Sequence, residues 1–137
     1  KNEIDKFKKI ENWKIKFVNT GIKSMTGDRI KKIKKFVISD KNFCLSYGDG
    51  LCDVNINSLI NFHRKKKKIA TLTAVRYANP KGILMISNNG YEIKDIKEKP
   101  IEYINGGYFV LSNKIFKYLN GINNIFEKDC LPRLSKN

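Results

Sequence analysis

Residues 42–76 read N-F-C-L-S-Y-G-D-G-L-C-D-V-N-I-N-S-L-I-N-F-H-R-K-K-K-K-I-A-T-L-T-A-V-R, and the changes of pattern within them set the fold class. Residues 42–47 have the apolar and aromatic composition of a short strand, and Gly48-Asp49-Gly50 turns the chain at its end. From Asn55, a candidate N-cap, Ile56, Leu59 and Ile60 recur at helical spacing as far as Arg64. Residues 69–76 then return to the Ala, Thr, Val and Leu composition of a central strand. Strand, helix and strand in succession make the unit of an α/β sheet.

Upstream, residues 14–19 read as another short strand, with Ile15 and Phe17 on one face and Val18 on the other. A loop rich in glycine and hydroxyl groups follows, residues 20–28. A helix is expected from about Arg29, with Ile30, Ile33 and Phe36 or Val37 on one stripe and lysines opposite. Thr26 and Asp28 are its candidate caps. Downstream, residues 82–87, the turn Asn88-Asn89-Gly90 and residues 91–97 form a hairpin pattern. Lys99-Pro100 punctuates, and Asn105-Gly106-Gly107 precedes a strand over residues 108–111. Ser112 or Asn113 caps a short helix carrying Ile115, Phe116 and Leu119. Phe126, Cys130, Leu131 and Leu134 mark a last helix, which Pro132 must break or bend. No repeat or low-complexity linker divides the chain, so residues 1–137 are expected to form a single domain with a sheet of mixed direction.

The 137 residues carry 28 Lys and Arg against 13 Asp and Glu, a formal charge of +15. A basic surface attracts phosphate backbones, but 24 of the cations are Lys and only 4 are Arg, the residue suited to bidentate recognition. Lys, Ile and Asn, all written with A/T-rich codons, make up 59 of the residues, so base composition accounts for much of the charge. The run Arg64-Lys65-Lys66-Lys67-Lys68 sits where a helix ends and cations suit its carbonyl terminus. A solvated helix end is therefore favoured over a nucleic-acid patch, with a basic, non-catalytic nucleic-acid-binding module as the alternative, and the charge is compatible with small phosphate-bearing ligands. Apolar residues are 41% of the chain, too many for a disordered tail, and no apolar run is long enough to span a bilayer. The basic lead-in, residues 1–9, is followed by no apolar stretch with a cleavage site, which argues against a secretory signal. Cys44, Cys52 and Cys130 are odd in number and form no CxxC pair, so buried thiols in a reducing cytoplasm are expected. His63, the one histidine, shares the spacing of Ile56, Leu59 and Ile60 and reads as a packed helix residue rather than a base.

Three glycine-containing motifs stand at loops or strand ends, where open α/β sheets collect ligands. Ser24-Met25-Thr26-Gly27-Asp28-Arg29 directly precedes a helix; its backbone N–H groups and Arg29 suit an anion or a polar base edge, and it is equally an ordinary cap and turn. Tyr47-Gly48-Asp49-Gly50 exposes a carboxylate between two glycines, which suits Mg²⁺ sharing its shell with phosphate oxygens, and is also a common tight turn. Glu98-Lys99-Pro100, followed by Asn105-Gly106-Gly107, supplies a carboxylate, an ammonium and an amide for a hydroxylated, phosphorylated ligand; a hairpin end and a bulge are the plain alternatives.

The order of these motifs is more specific than any one of them. T-G-I-K-S-M-T-G-D-R-I-K-K-I, F-C-L-S-Y-G-D-G, D-V-N-I-N-S-L-I-N-F-H, E-K-P and I-N-G-G-Y-F-V-L closely resemble the glucose-1-phosphate cytidylyltransferase family of sugar-nucleotide pyrophosphorylases, from about Trp13 to the end. The S-M-T-G-x-R loop separates that family from its thymidylyl- and uridylyl-transferring relatives. The resemblance implies a Rossmann-like nucleotidyltransferase fold, with a mixed, mostly parallel sheet flanked by helices, incomplete in these residues. It implies CTP and glucose 1-phosphate as partners, Mg²⁺ as cofactor, a cytoplasmic location, a possible homo-oligomer, and nucleotide-sugar supply for lipopolysaccharide O-antigen. By the same resemblance Ser24, Thr26, Gly27, Arg29 and Gly48 contact the nucleotide, Asp49 holds the metal, and Glu98, Lys99, Asn105 and Gly106 hold the sugar phosphate. Asp49, Lys99 and Arg29 are the implied catalytic residues, with Asp49 and Lys99 facing one cleft. The family's glycine-rich GGxGTRL loop, the lysine after it and a second metal-binding aspartate do not occur in the chain, and Asp28 replaces the second glycine of T-G-G-R. An internal fragment with little activity of its own is the expectation.

Overall fold

The computed structural model describes residues 14–136; the basic lead-in, on which the argument against a secretory signal rests, lies outside the described residues. Helix α1 (Thr26–Lys32) and the single turn α2 (Lys34–Val37) are followed by β1 (Asn42–Ser46), α3 (Ile56–Lys66) and β2 (Ala70–Ala78). The hairpin β3 (Ile83–Ile86) and β4 (Ile93–Lys97) leads into the long strand β5 (Ile101–Ser112). A 3₁₀ turn (Asn113–Lys117), a π turn (Phe126–Cys130) and α4 (Leu131–Ser135) complete the order.

The main sheet has the order β1-β5-β2, and both pairings are antiparallel. β1 and β2 thus run in the same direction, as strand-helix-strand units require, but β5 lies between them. Every hydrogen-bonded strand pair among the described residues is antiparallel, where a mixed, mostly parallel sheet was expected. The pattern of residues 42–76 identified two strands running the same way and carried no information about a strand inserted from later in the chain. For the same reason β2, read as central, lies at the sheet edge, with Leu72, Val75 and Tyr77 40–49% exposed. The central position belongs to β5, whose Phe109, Val110 and Leu111 are at most 1% exposed.

Both faces of β5 are covered over residues 109–111. Val110 pairs with Thr71 and Cys44, and Thr71 meets His63 of α3 on that face. On the other face Phe109 and Leu111 pack with Ile30, Ile115, Leu119, Phe126 and Cys130. Phe109 meets Tyr47 and Phe126 edge-on, at centroid distances of 5.7 and 5.5 Å. Each such side chain, fully buried, contributes roughly 1.5–3 kcal/mol.

Local signals fared well. Asn55 caps α3 by accepting from the Ser58 N–H at 2.9 Å, and the hairpin turns at Gly90, whose φ of +78° suits glycine. His63 is 2% exposed, as a packed helix residue should be. Residues 14–19, by contrast, form no strand, and Phe17 is 76% exposed. α1 starts at Thr26, not Arg29, and no side chain caps it. Only Cys130 is a buried thiol, which burial pushes up to about 11; Cys44 and Cys52 are exposed.

Candidate functional site

The loop before α1 is organised from within. Arg29 donates from Nη1 to Thr20 Oγ1 at 2.7 Å and from Nη2 to the Ile22 carbonyl at 3.3 Å. Ser24 Oγ donates to the Thr20 carbonyl, and Lys32 Nζ reaches that carbonyl and Ser24 Oγ, each at 2.7 Å. Gly21 permits the turn with φ +84°. This loop, α1 and residues 121–123 enclose a cavity of about 690 Å³ that Ser24, Lys31 and Lys32 line. Asp28, on the same wall, has its carboxylate 3.9 Å from Lys31 Nζ, which offsets the anion placed there.

Thr26 and Gly27 face elsewhere. Gly27 is buried, and its N–H donates to the Asn124 carbonyl at 2.9 Å. A Cβ on Gly27 would lie 2.0 Å from Asn124 Oδ1, so close backbone approach alone accounts for glycine. Thr26 Oγ1 accepts from the Phe126 N–H at 2.9 Å and donates to Glu127 Oε2 at 2.8 Å. The other carboxylate oxygen of Glu127 accepts from the Tyr47 hydroxyl, which in turn accepts from Asn105 Nδ2 at 3.2 Å. Asn105 Oδ1 then accepts from the Gly107 N–H at 2.9 Å. A continuous hydrogen-bonded chain therefore joins Thr26 to Asn105 in the middle of β5. Burial first, and Glu127 second, push the Tyr47 phenol up to about 12, so it remains a donor to the carboxylate.

Gly48 and Asp49 follow β1 at this same level of β5. The Tyr47 N–H donates to the Gly107 carbonyl at 3.3 Å, and the Tyr108 hydroxyl donates to the Gly50 carbonyl at 2.9 Å, fixing the turn on both sides. A Cβ on Gly48 or Gly50 would meet nothing within 4 Å, so Asp49 stands in open space between them, exposed. Gly106 is confined: a Cβ there would come within 2.6 Å of Thr73 Oγ1, and Gly107, at φ +76°, packs under the Tyr47 ring. Strand β5 is irregular here, its register against β2 shifting between Leu72 and Ala74.

No hydrogen bond or ion pair joins Lys99 to Asp49 among the described residues. Residues 101–104 are extended within β5 rather than looped, so Asn105 lies about 13 Å along the strand from Ile101, at ~3.3 Å per residue, and Lys99 precedes that strand. Glu98 and Lys99 are exposed at the foot of the β3–β4 hairpin, with Lys99 at φ +42° and Glu98 beside Gly82. A site residue that the motifs did not mark is Glu127, which joins two of them; it lies in a stretch with no glycine signature, and only its partners identify it.

No group of three His, Cys, Asp or Glu that could hold a metal occurs among the described residues. Asp49 makes no hydrogen bond or ion pair among them, which fits a cation that takes one protein carboxylate and completes its shell with phosphate and water. None of the described helices is long and apolar enough to cross a membrane.

Comparison with known proteins places this geometry. The family model described as Nucleotidyl transferase matches residues 4–134. A probable glucose-1-phosphate cytidylyltransferase of Bacillus subtilis is 39% identical over 127 residues, covering 92% of this chain and 50% of its own length. The glucose-1-phosphate cytidylyltransferase of Salmonella typhi is 35% identical over 132 residues, 94% of this chain and 51% of its own. The crystal structure of HddC from Yersinia pseudotuberculosis superposes on 95% of this chain and 59% of its own at a TM-score of 0.65 and 26% identity. An apo UDP-glucose pyrophosphorylase, at 20% identity, shares the fold with a TM-score of 0.60 over 98% of this chain. The chain spans about half the length of the curated relatives it matches. It belongs to the nucleotidyl transferase family.

Proposed function

We propose that the protein containing this chain transfers a cytidylyl group from CTP to glucose 1-phosphate, giving CDP-glucose and pyrophosphate. The observation that carries the proposal is the hydrogen-bonded chain Thr26–Glu127–Tyr47–Asn105, which holds the S-M-T-G segment, the end of β1 with Asp49, and the N-G-G stretch of β5 as one unit. The S-M-T-G-x-R resemblance and the names of the relatives at 35–39% identity support cytosine and glucose. Relatives named mannose-1-phosphate guanyltransferase, at 28% identity or less over shorter spans, support a guanine-selective second reading.

In the proposed reaction an oxygen of the sugar phosphate attacks the α-phosphorus of CTP in line, and pyrophosphate leaves. A phosphate nucleophile needs no general base, which agrees with His63 being sealed in the core. The work left to the protein is positioning and charge neutralisation. Ser24 and Arg29 hold the loop that meets the nucleotide, with Gly27 setting its approach to residue 124. Gly48 leaves room for phosphate beside Asp49, and Asn105 and Gly106 present the sugar-binding residues in the middle of β5, where β1 ends. Asp49 would hold Mg²⁺, which when bound neutralises triphosphate charge and stabilises the leaving group. No hydrogen bond or ion pair among the described residues joins Glu98 or Lys99 to Asp49, so the proposal rests on Asn105 within β5 and not on a cleft shared by Asp49 and Lys99. The isolated chain is expected to turn over weakly or not at all.

Thermal unfolding of the chain with Mg²⁺ and each of CTP, UTP, GTP and dTTP tests this. CTP should raise the midpoint most, because only ligand bound to the folded state stabilises it, and Asp49→Asn should remove the Mg²⁺-dependent part. A larger shift with GTP would favour the guanine reading, and equal shifts with all four would refute base selectivity.

A further inference from the structure

The run Arg64-Lys65-Lys66-Lys67-Lys68 closes α3, and the helix macrodipole accounts for cations there without any ligand. Tertiary structure adds a feature the run alone lacks. Arg64, Lys67 and Lys68 line a cavity of about 630 Å³ together with Lys41, which precedes β1, and Lys114, which follows β5. Asp40 is the one carboxylate on the wall, and none of the five cations is ion-paired among the described residues.

The backbone beneath them is pinned. The Asn113 N–H donates to the Lys41 carbonyl at 3.1 Å, Ser112 N–H to the Ile69 carbonyl at 2.8 Å, and Lys67 N–H to the His63 carbonyl at 2.9 Å. The Lys114 N–H donates to Ser112 Oγ at 3.3 Å. His63 forms part of the floor, with its ring nitrogens 2.9 Å from Thr71 Oγ1 and 3.2 Å from Asn42 Oδ1. Lys67 holds the left-handed C-cap position of α3, at φ +54°, where glycine would carry no strain.

Five like charges around one hollow repel one another, and a multivalent anion relieves that repulsion. Ammonium groups meet phosphate as point charges and demand no particular orientation. The wall offers no Phe, Tyr or Trp on which a base could stack. The cations converge on a hollow of small-ligand size instead of forming the stripe that a duplex requires. We infer that this cavity binds the polyphosphate group of a small ligand, without regard to any base attached. It lies at the start of β1, the opposite end from Asp49, and so is separate from the candidate substrate site.

Calorimetric titration of the chain with inorganic tripolyphosphate at physiological ionic strength tests the inference. Lys67→Ala/Lys68→Ala/Lys114→Ala should weaken binding about tenfold or more, since each lost charge-assisted contact is worth a large part of a tenfold change. Lys41→Glu, a single exposed change, should weaken it in the same direction. Lys81→Ala/Lys94→Ala/Lys97→Ala, which removes the same charge from the hairpin, should leave it unchanged. Orthophosphate should bind more weakly than tripolyphosphate. Absence of tripolyphosphate binding, equal loss in the hairpin variant, or tighter binding of a short DNA duplex through the same lysines would each overturn it.

Discussion

Gly27→Ala separates a packing role from a ligand-contacting one. Alanine in a helix is favoured over glycine by about 1 kcal/mol, so a Gly27 kept only for ligand contact would give a more stable variant. The geometry opposes that gain. The new Cβ would fall 2.0 Å from Asn124 Oδ1, 2.8 Å from the Asn124 carbonyl oxygen and 2.9 Å from its Cγ. Asn124 is 4% exposed and its Nδ2 is held by the Asn120 carbonyl at 3.0 Å, so it has no open direction in which to move. Overpacking costs roughly 1–3 kcal/mol, and losing the Gly27 N–H to Asn124 bond about 1 kcal/mol more. The net expectation is destabilisation by about 1–3 kcal/mol, read as a lower urea midpoint with unchanged slope. Asn124→Ala removes Oδ1, which is buried without a partner, together with Cγ, and in the double variant should restore part of the loss. A Gly27→Ala protein as stable as its parent, or more so, would refute the packing argument.

Glu127→Ala should cost about 1–3 kcal/mol in the same assay, because it leaves the Thr26 and Tyr47 hydroxyls without their acceptor. Stability should decline between pH 10 and about 12, since the Tyr47 phenol ionises at about 12 when folded and near its ordinary 10 when unfolded; its contribution is whole below pH 10, and Tyr47→Phe should remove that part of the decline. Burial holds the His63 imidazole below its ordinary 6.5, so stability should fall as pH drops below 6.5, and His63→Gln should flatten that limb of the pH–stability curve. Asn55→Ala should lower stability by about 1 kcal/mol through loss of the α3 cap, and Asn55→Asp should preserve it.

Much of the local structure was legible in the sequence because its causes are local. A side chain that accepts from a backbone N–H three residues on declares itself wherever Asn precedes an apolar helical period, as at Asn55. The Asn-Asn-Gly turn and the burial of His63 were readable on the same ground. Residues 14–19 mislead because an apolar alternation defines a strand only where a partner supplies the ladder, and none does among the described residues. Composition also marks a strand without ranking its position, which is why β2 was read as central although β5 holds that place.

The sequence by itself determined the family, through the order of S-M-T-G-D-R, G-D-G, E-K-P and N-G-G, and the positions of most helices and strands. Only the tertiary structure decided which motifs meet. Glu127 joins Thr26 and Tyr47 across about 100 and 80 residues of chain, and folding of that π turn against α1 creates a contact that no local spacing encodes. A strand was expected only over residues 108–111, with none over the four residues between Pro100 and Asn105. They are instead drawn straight by pairing with β2, because satisfying their backbone donors and acceptors in the ladder outweighs the freedom of a loop. The lysine run became one side of a basic hollow by the same logic, since Lys41 and Lys114 reach it only through β1 and β5.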